Sequence, residues 1–402
     1  MGILLDGFDL FIIALALPLL QQSWALTAVQ AGMVAAAAPA GAVFGALLIG
    51  PIIDRVGRRR VLLICPFLFV LFAALCALAP NLTILLLGRF VLGMGIGADY
   101  PLSASYVAEF MPSEVRGRMM VAAFSLQSVG ALTGAIVGVL VLVLAPELKT
   151  WRWMLGLGVI PAIVVWVARL HAPESPMWHR PSEQTGRGHL WQVARWKKKL
   201  ALVTLPWFIL DAALYGIGLY SPAILVMAYR STGMMATSRR SLLADDLIAT
   251  ANTVLLDLFL VVGFVFAIFL VERWGRVMLQ SLGFIGMASG LAVAAWGASS
   301  LPMNIPLLLI GVALSNLCST LGPNATTYLL PAELFPTSVR ATAHGLAASF
   351  GKLGAVLSTL FLPVLTSWGM ESTFALGSGI CLAAALLTLT LGEETMGTRL
   401  DA

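Results

Sequence analysis

The sequence predicts an all-α integral membrane protein, with twelve transmembrane helices in two pseudo-symmetric six-helix bundles. Of 402 residues, 59% are hydrophobic and only 11% are charged, where a soluble domain carries about 25% charged residues. Mean hydropathy is +0.94, so lipid must solvate most of the chain. A spanning helix needs about 20 apolar residues. Twelve such runs lie near 1–20, 29–53, 61–79, 82–108, 118–145, 153–170, 200–229, 246–271, 277–298, 304–330, 341–366 and 371–391. An internal repeat completes the prediction. VERWGR at 271–276 echoes IDRVGR at 53–58, and PAELFPTSVRA at 331–341 echoes VAEFMPSEVRG at 107–117. Two parallel repeats place a solute site at their interface. The expected organisation is a bundle over 1–170, a cytoplasmic linker with an amphipathic helix over 171–199, and a second bundle over 200–402.

The net charge of +5 reports topology rather than a nucleic-acid surface, because the basic residues fall in alternate loops. Arg55, Arg58, Arg59 and Arg60 follow the second run, Arg116 and Arg118 the fourth, and Arg273 and Arg276 the eighth. Arg195 and Lys197 to Lys199 precede the seventh, while the opposite loops hold chiefly Lys149, Arg152, Arg230, Arg239 and Arg240. By the positive-inside rule the first set is cytoplasmic, with both termini, in a cell or inner membrane. Cys65, Cys76, Cys318 and Cys381 fall within apolar runs, so neither a disulfide nor a metal site is expected. The start lacks a basic region and a cleavage site, and does not read as a signal peptide.

The first run places Asp6 and Asp9 within its opening turns. Either they line a vestibule near water, or a polar tail precedes Met1 and the acids lie deeper; the second is the expectation. The second run carries Gly41, Gly45 and Gly50 at small-residue spacing, which lets another helix approach closely. It leads into GPIIDRVGRRR, where Asp54 is able to cap or pair with a neighbouring helix end. The fourth run holds Arg89, Asp99, Tyr100 and Glu109 and ends at Pro112, Arg116 and Arg118. A lone carboxylate in hydrocarbon costs roughly 3 kcal/mol, so Asp99 should face protein, water or solute.

In the fifth run Gly130, Gly134 and Gly138 form a packing stripe, one turn after Gln127. That amide either binds solute or bonds to a neighbouring helix. The sixth run ends in HAPESPMW. The polar stretch 179–199 closes with HLWQVARWKKK, an expected interfacial helix with Trp191 and Trp196 toward lipid and its lysines toward phosphate head groups. In the seventh run Trp207, Asp211 and Tyr215 recur every four residues and share a face, so one acid stands between an indole and a phenol donor. Gly322-Pro323-Asn324 breaks the tenth run, freeing backbone groups that a cavity is expected to satisfy. Lys352 lies about three turns into the eleventh, where it should pair with an acid or reach an anion.

Glycine, aspartate and arginine at Gly50, Asp54, Arg55, Gly57 and Arg58 resemble the loop 2–3 signature of the major facilitator superfamily. PESPMW at 173–178 resembles the ending of its sugar-porter branch. GADYPLSASYVAEF at 97–110 and FPTSVRATAHGLAASFGKLGA at 335–355 resemble phosphate:proton symporters, with Ala98 replacing a glycine. The DGFD form of the first run resembles aromatic-acid:proton symporters instead, and Asp257 departs from the phosphate pattern. The resemblance implies substrate contact by Tyr100, Gln127, Trp207, Asp211, Tyr215 and Asn324, with Lys352 attracting the anion. It implies proton coupling through Asp6, Asp9, Asp99 and Asp211.

The implied partners are protons and a small anion, phosphate first, carried by a monomer in the bilayer without cofactor or nucleic acid. An organic anion, a sugar-like metabolite or a sensor that binds without transporting are the other readings. Phosphate both donates and accepts hydrogen bonds, so it is able to face an acid among the donors of Tyr215, Trp207, Gln127 and Asn324. The repeated elbows are expected to form ion-pair clusters that break when the inside opens. The residues expected in these clusters are Asp54, Arg55, Arg58, Glu109 and Arg116 with their repeats Glu272, Arg273, Arg276, Glu333 and Arg340. An enzyme is not expected: GMGIGA at 93–98 lies in an apolar run with no strand before it, and Gly351-Lys352 lacks the upstream phosphate-loop glycine.

Overall fold

The computed structural model describes residues 2–175, 193–231, 239–300, 303–366 and 368–398, with the side chains of 218–246 and 362–367 outside that description. The helices are α1 (Gly2–Trp24), α2 (Ala28–Val56), α3 (Arg58–Leu78), α4 (Leu82–Phe110), α5 (Arg116–Leu144), α6 (Trp151–Gly156) and α7 (Val159–Arg169). After the linker come α8 (Lys197–Ser231), α9 (Arg239–Trp274), α10 (Arg276–Ser299), α11 (Ile305–Leu321), α12 (Pro323–Leu334), α13 (Arg340–Thr366) and α14 (Met370–Leu391). Taking α6 with α7 and α11 with α12, these are the twelve expected spans. Eleven are long and apolar enough to cross a membrane among the described residues, and α13 occupies the remaining run.

The packing repeats as the sequence does. In the first half α1 packs on α5, α2 on α4, and α3 on α4 and α7. In the second half α8 packs on α13, α9 on α11, and α10 on α11 and α14, in the same order. Across the halves, α2 lies along α13 and α5 along α9, a pair that the repeat also exchanges. Small residues set these distances. A Cβ on Gly93 or Gly97 would meet the carbonyls of Ala38 or Ala42, and one on Gly41 or Gly45 those of Phe90 or Met94. Gly93 and Gly97 of GMGIGA therefore lie on the seam between α2 and α4.

Two turns hold the repeat together. Gly57 (φ 101°) separates α2 from α3, and Gly275 (φ 81°) separates α9 from α10. A positive φ is accessible to glycine without strain, so each helix pair reverses in a single residue. The third span therefore starts three residues earlier than hydropathy indicates, and Arg58 falls in its first turn.

Of the expected linker helix over 189–199, residues 189–192 lie outside the described residues. Residues 194 and 195 form a turn and Lys197 to Lys199 begin α8, so 193–199 is no continuous amphipathic helix. Trp196 packs against Phe335 (ring centroids 5.6 Å apart) instead of lipid, with Lys199 Nζ 5.1 Å from its ring. An indole that finds an aromatic partner on the protein buries its apolar body there. Trp191, Met177 and Trp178 lie outside the described residues.

Candidate functional site

Six of the seven expected substrate contacts meet at the centre of the bundle. Gln127 on α5 donates to the Tyr100 hydroxyl on α4 at 2.6 Å. The Tyr100 and Tyr215 hydroxyls are hydrogen-bonded to each other across the two halves. Lys352 Nζ on α13 donates to Tyr215 Oη at 2.9 Å and to Asp211 Oδ2 at 2.7 Å. Trp207 bonds the same carboxylate from one turn earlier on α8. The i, i+4, i+8 spacing of Trp207, Asp211 and Tyr215 thus places three polar groups along one groove that α13 closes with its lysine.

Aromatic rings wrap this network. Lys352 Nζ stands 4.3 Å from the Tyr215 ring centroid and 4.8 Å from that of Tyr100, where the ring faces favour a cation. Tyr100 and Trp207 meet edge-on at 6.1 Å, and Trp207 meets His344 at 5.5 Å. Tyr328 stacks on Phe124 at 4.1 Å, bringing α12 onto α5. Every member is buried: Tyr100 and Tyr215 at 0% exposure, Trp207 and Lys352 at 1%, Asp211 at 2%, Gln127 at 5%. The site is closed on both sides.

Asn324 does not join. It is buried on α12 just past the break, but its side chain makes no hydrogen bond to the network among the described residues. Side chains of two further helices gather at the break. The Thr326 hydroxyl lies 2.9 Å from the Gly322 carbonyl and 2.8 Å from Gln280 Oε1, and Gln280 Nε2 donates to Thr388 at 2.9 Å. The Gly322 carbonyl also accepts the Thr326 amide at 3.0 Å, so protein groups satisfy this carbonyl of the break.

The acids of the first half find two arginines that charge spacing does not reveal. Asp9 pairs with Arg89 at 2.8 Å, and Asp99 with Arg169 at 2.7 Å, all four buried. Asp6 is wholly buried, with neither carboxylate oxygen hydrogen-bonded. It shares a water-sized cavity with Asp99 and Arg169. These acids lie within the protein, not in an exposed vestibule. Asp257 is buried on α9, outside the network.

At the basic end, the repeat becomes geometry. Arg58 Nη2 reaches Glu109 at 2.7 Å and Asp54 at 3.4 Å, and the Ser175 hydroxyl donates to Glu109. Arg276 reaches Glu272 at 2.7 Å and Glu333 at 2.9 Å, and the Thr395 hydroxyl donates to Glu333 at 2.5 Å. Glu174 accepts the Arg58 amide at 2.9 Å, as Glu394 accepts that of Arg276 at 3.0 Å.

Each cluster then crosses to the other half. Asp54 accepts both the amide (2.9 Å) and the hydroxyl (2.8 Å) of Thr342 in the first turn of α13. Glu272 accepts the Arg118 amide in the first turn of α5 at 3.2 Å. These carboxylates satisfy helix-start amides that have no partner of their own and meet the positive end of the helix dipole. Arg340 stands 3.5 Å from Glu109, and Arg116 donates to the Thr398 carbonyl at 3.2 Å. Arg55 and Arg273 are exposed at matching positions one residue after the acids. Glu174 and Ser175 belong to the PESP ending visible in the sequence, whereas Glu394 and Thr395 repeat it without the prolines that would flag it.

A multi-pass membrane bundle with a closed polar centre between two repeated halves is the architecture of a carrier of the major facilitator superfamily. The chain belongs to the family described as sugar (and other) transporters, whose profile matches residues 1–189 and 187–402. It is 27% identical to probable inorganic phosphate transporter 1-6 of Arabidopsis thaliana over 100% of this chain and 91% of that protein. It is 28% identical to the niacin transporter NiaP of Acinetobacter baylyi over 100% and 94%. Among solved structures, the proton:xylose symporter XylE bound to 6-bromo-6-deoxy-D-glucose superposes with a TM-score of 0.79 at 20% identity, covering 99% of this chain and 95% of that one. Members of this superfamily are transporters, not enzymes.

Proposed function

We propose that the chain is a proton-coupled carrier of a small anion, inorganic phosphate before others, working by alternating access between bundles 1–170 and 200–402. The observation that carries this reading is the Lys352–Asp211 pair at 2.7 Å, closed between Tyr100, Tyr215 and Trp207. The pair is neutral as it stands. Protonating Asp211 leaves a buried ammonium without its counter-charge, at a cost on the order of 3–5 kcal/mol. An anion that arrives with the proton takes the place of the carboxylate and removes that cost. Neither is stable there alone, and that is symport. The membrane potential contributes about 2.3 kcal/mol per net charge per 100 mV, which drives uptake when protons outnumber anion charges.

Phosphate fits the donor set. Its hydroxyl is able to face Asp211 while its oxygens accept from Lys352, Trp207, Tyr215 and Gln127. The names of phosphate-transporting relatives support the same substrate. The niacin transporter at 28% identity supports a second reading, a carboxylate anion held by the same lysine. Asp6, without a hydrogen bond beside Asp99 and Arg169, offers a proton leaving for the cytoplasm a carboxylate on the basic-end side, and Asp9–Arg89 provides a further buried pair. The basic loops argue that this end and both termini are cytoplasmic. The two clusters there then act as the inner gate, which must part for the solute to leave.

Proteoliposomes loaded at one pH and diluted into another separate the readings. Gradient-driven accumulation of labelled phosphate supports the first. Accumulation of an aromatic or aliphatic carboxylate but not phosphate sinks it in favour of the second. Saturable binding without flux of either makes the chain a sensor.

A further inference from the structure

One charged face lies outside both the central site and the gate clusters. Arg195, Lys197 and Lys198 are exposed around the base of α8, with Trp196 and Lys199 half-buried among them, and the five line a shallow surface concavity. We propose that this face binds the headgroups of acidic phospholipids in the adjoining leaflet, and that the bound headgroup loosens the gate cluster of the second half.

Position favours a lipid over a dissolved anion. Leu205 is exposed six residues along α8 from Lys199, about 9 Å up the helix axis. Apolar flank therefore meets acyl chains one and a half turns above the basic groups, which sets those groups at the depth of the phosphates. Basic side chains at that level gain from the negative surface potential of a leaflet, and the gain is screened by salt.

Two contacts join the face to the gate. Trp196 packs on Phe335, two residues past Glu333 of the cluster. Lys199 pairs with Glu393 at 2.9 Å, with the two side chains 28% and 52% exposed. So exposed a pair is weak and exchangeable. The next residues, Glu394 and Thr395, hold the Arg276 and Val277 amides and Glu333. A headgroup phosphate that takes Lys199 from Glu393 removes a tie on this segment. Lipid binding stands without the transport reading, while its effect on opening rests on the inner-gate role proposed above.

Native mass spectrometry of the detergent-solubilised full chain tests binding, with phosphatidylglycerol or phosphatidylcholine as the added lipid. Preferential retention of phosphatidylglycerol is expected, with affinity about a hundredfold lower in Arg195→Gln/Lys197→Gln/Lys198→Gln at low salt, each basic group near an acidic surface contributing about fivefold. Arg59→Gln/Arg60→Gln, which removes charges from another loop at the same end, should leave retention unchanged. Equal retention in parent and triple variant overturns the site. So does displacement by millimolar inorganic phosphate without lipid preference, which makes the face a site for the free anion. Hydrogen exchange of residues 392–398 in nanodiscs tests the coupling. Faster exchange with phosphatidylglycerol than with phosphatidylcholine, lost in the triple variant, is the expected result. Equal exchange in both lipids overturns the coupling while leaving the lipid site standing, and neither result depends on which solute is carried.

Discussion

Lys352 and Asp211 are each tolerable at the centre of the bundle only because of the other. Removing one side of such a pair strands the remaining charge, whereas removing both leaves an apolar filling that is often neutral or stabilising. Asp211→Asn is therefore expected to abolish proton-driven accumulation and also to lower the unfolding midpoint of the purified protein. Asp211→Asn/Lys352→Met should restore the midpoint without restoring transport. Accumulation by Asp211→Asn at the parental level would sink the symport mechanism, and equal midpoints in all three would show that the pair is not an energetic unit. At this scale the sequence is most informative where one helix carries the signal. Trp207, Asp211 and Tyr215 are legible from their spacing alone. Arg89 and Arg169 are not legible as partners, because each meets its acid on another helix and periodicity does not encode distance between helices. Gln127 stays open between two roles in the sequence, and its amide stands 2.6 Å from Tyr100 in the fold.

Helices in this chain approach through glycine rather than through interdigitated large side chains, and that choice is testable element by element. A Cβ at Gly97 would meet the Ala42 backbone carbonyl, which is held in α2 and unable to rotate away. Gly97→Val is expected to cost about 2–3 kcal/mol by overpacking, or to eliminate folded yield. A methyl group at Gly379 on α14 would have nothing within 4 Å, so Gly379→Ala should be neutral or gain up to about 1 kcal/mol of helix propensity. Thermal unfolding in one detergent, with both variants beside the parent, reads the contrast; equal midpoints would mean that the α2–α4 seam tolerates separation. The apolar runs are long enough for hydropathy to find all twelve spans, and their ends differ by only a few residues at most boundaries. What hydropathy misses is capping and turning. Asp54 and Glu272 cap helices more than a hundred residues away, and Thr326 and Gln280 bond beside the Gly322 break, two side chains with no local signature.

Across the whole molecule, the repeat makes the closed end a double lock in which each half holds a helix start of the other. Asp54 grips α13 through Thr342, and Glu272 grips α5 through the Arg118 amide. Arg340, by contrast, is buried with no hydrogen bond from its guanidinium and with Glu109 at 3.5 Å, so it gives closure little beyond a Coulomb term. The caps should therefore dominate. A lost cap costs about 1–2 kcal/mol, enough to raise an open population roughly tenfold at the middle of that range. Asp54→Asn weakens one cap and Glu272→Gln the other, each leaving the fold of its own half in place. Spin labels at Arg60 on α3 and Met278 on α10 would report the separation of the halves at this end. The longer-distance population is expected to rise in each variant and to rise further in the double, with Arg340→Gln having the smaller effect. An unchanged distribution in the double variant would mean that closure is held at the central network alone, through Tyr100, Tyr215 and Lys352. In that case opening would follow the protonation of Asp211 without any step at the gate.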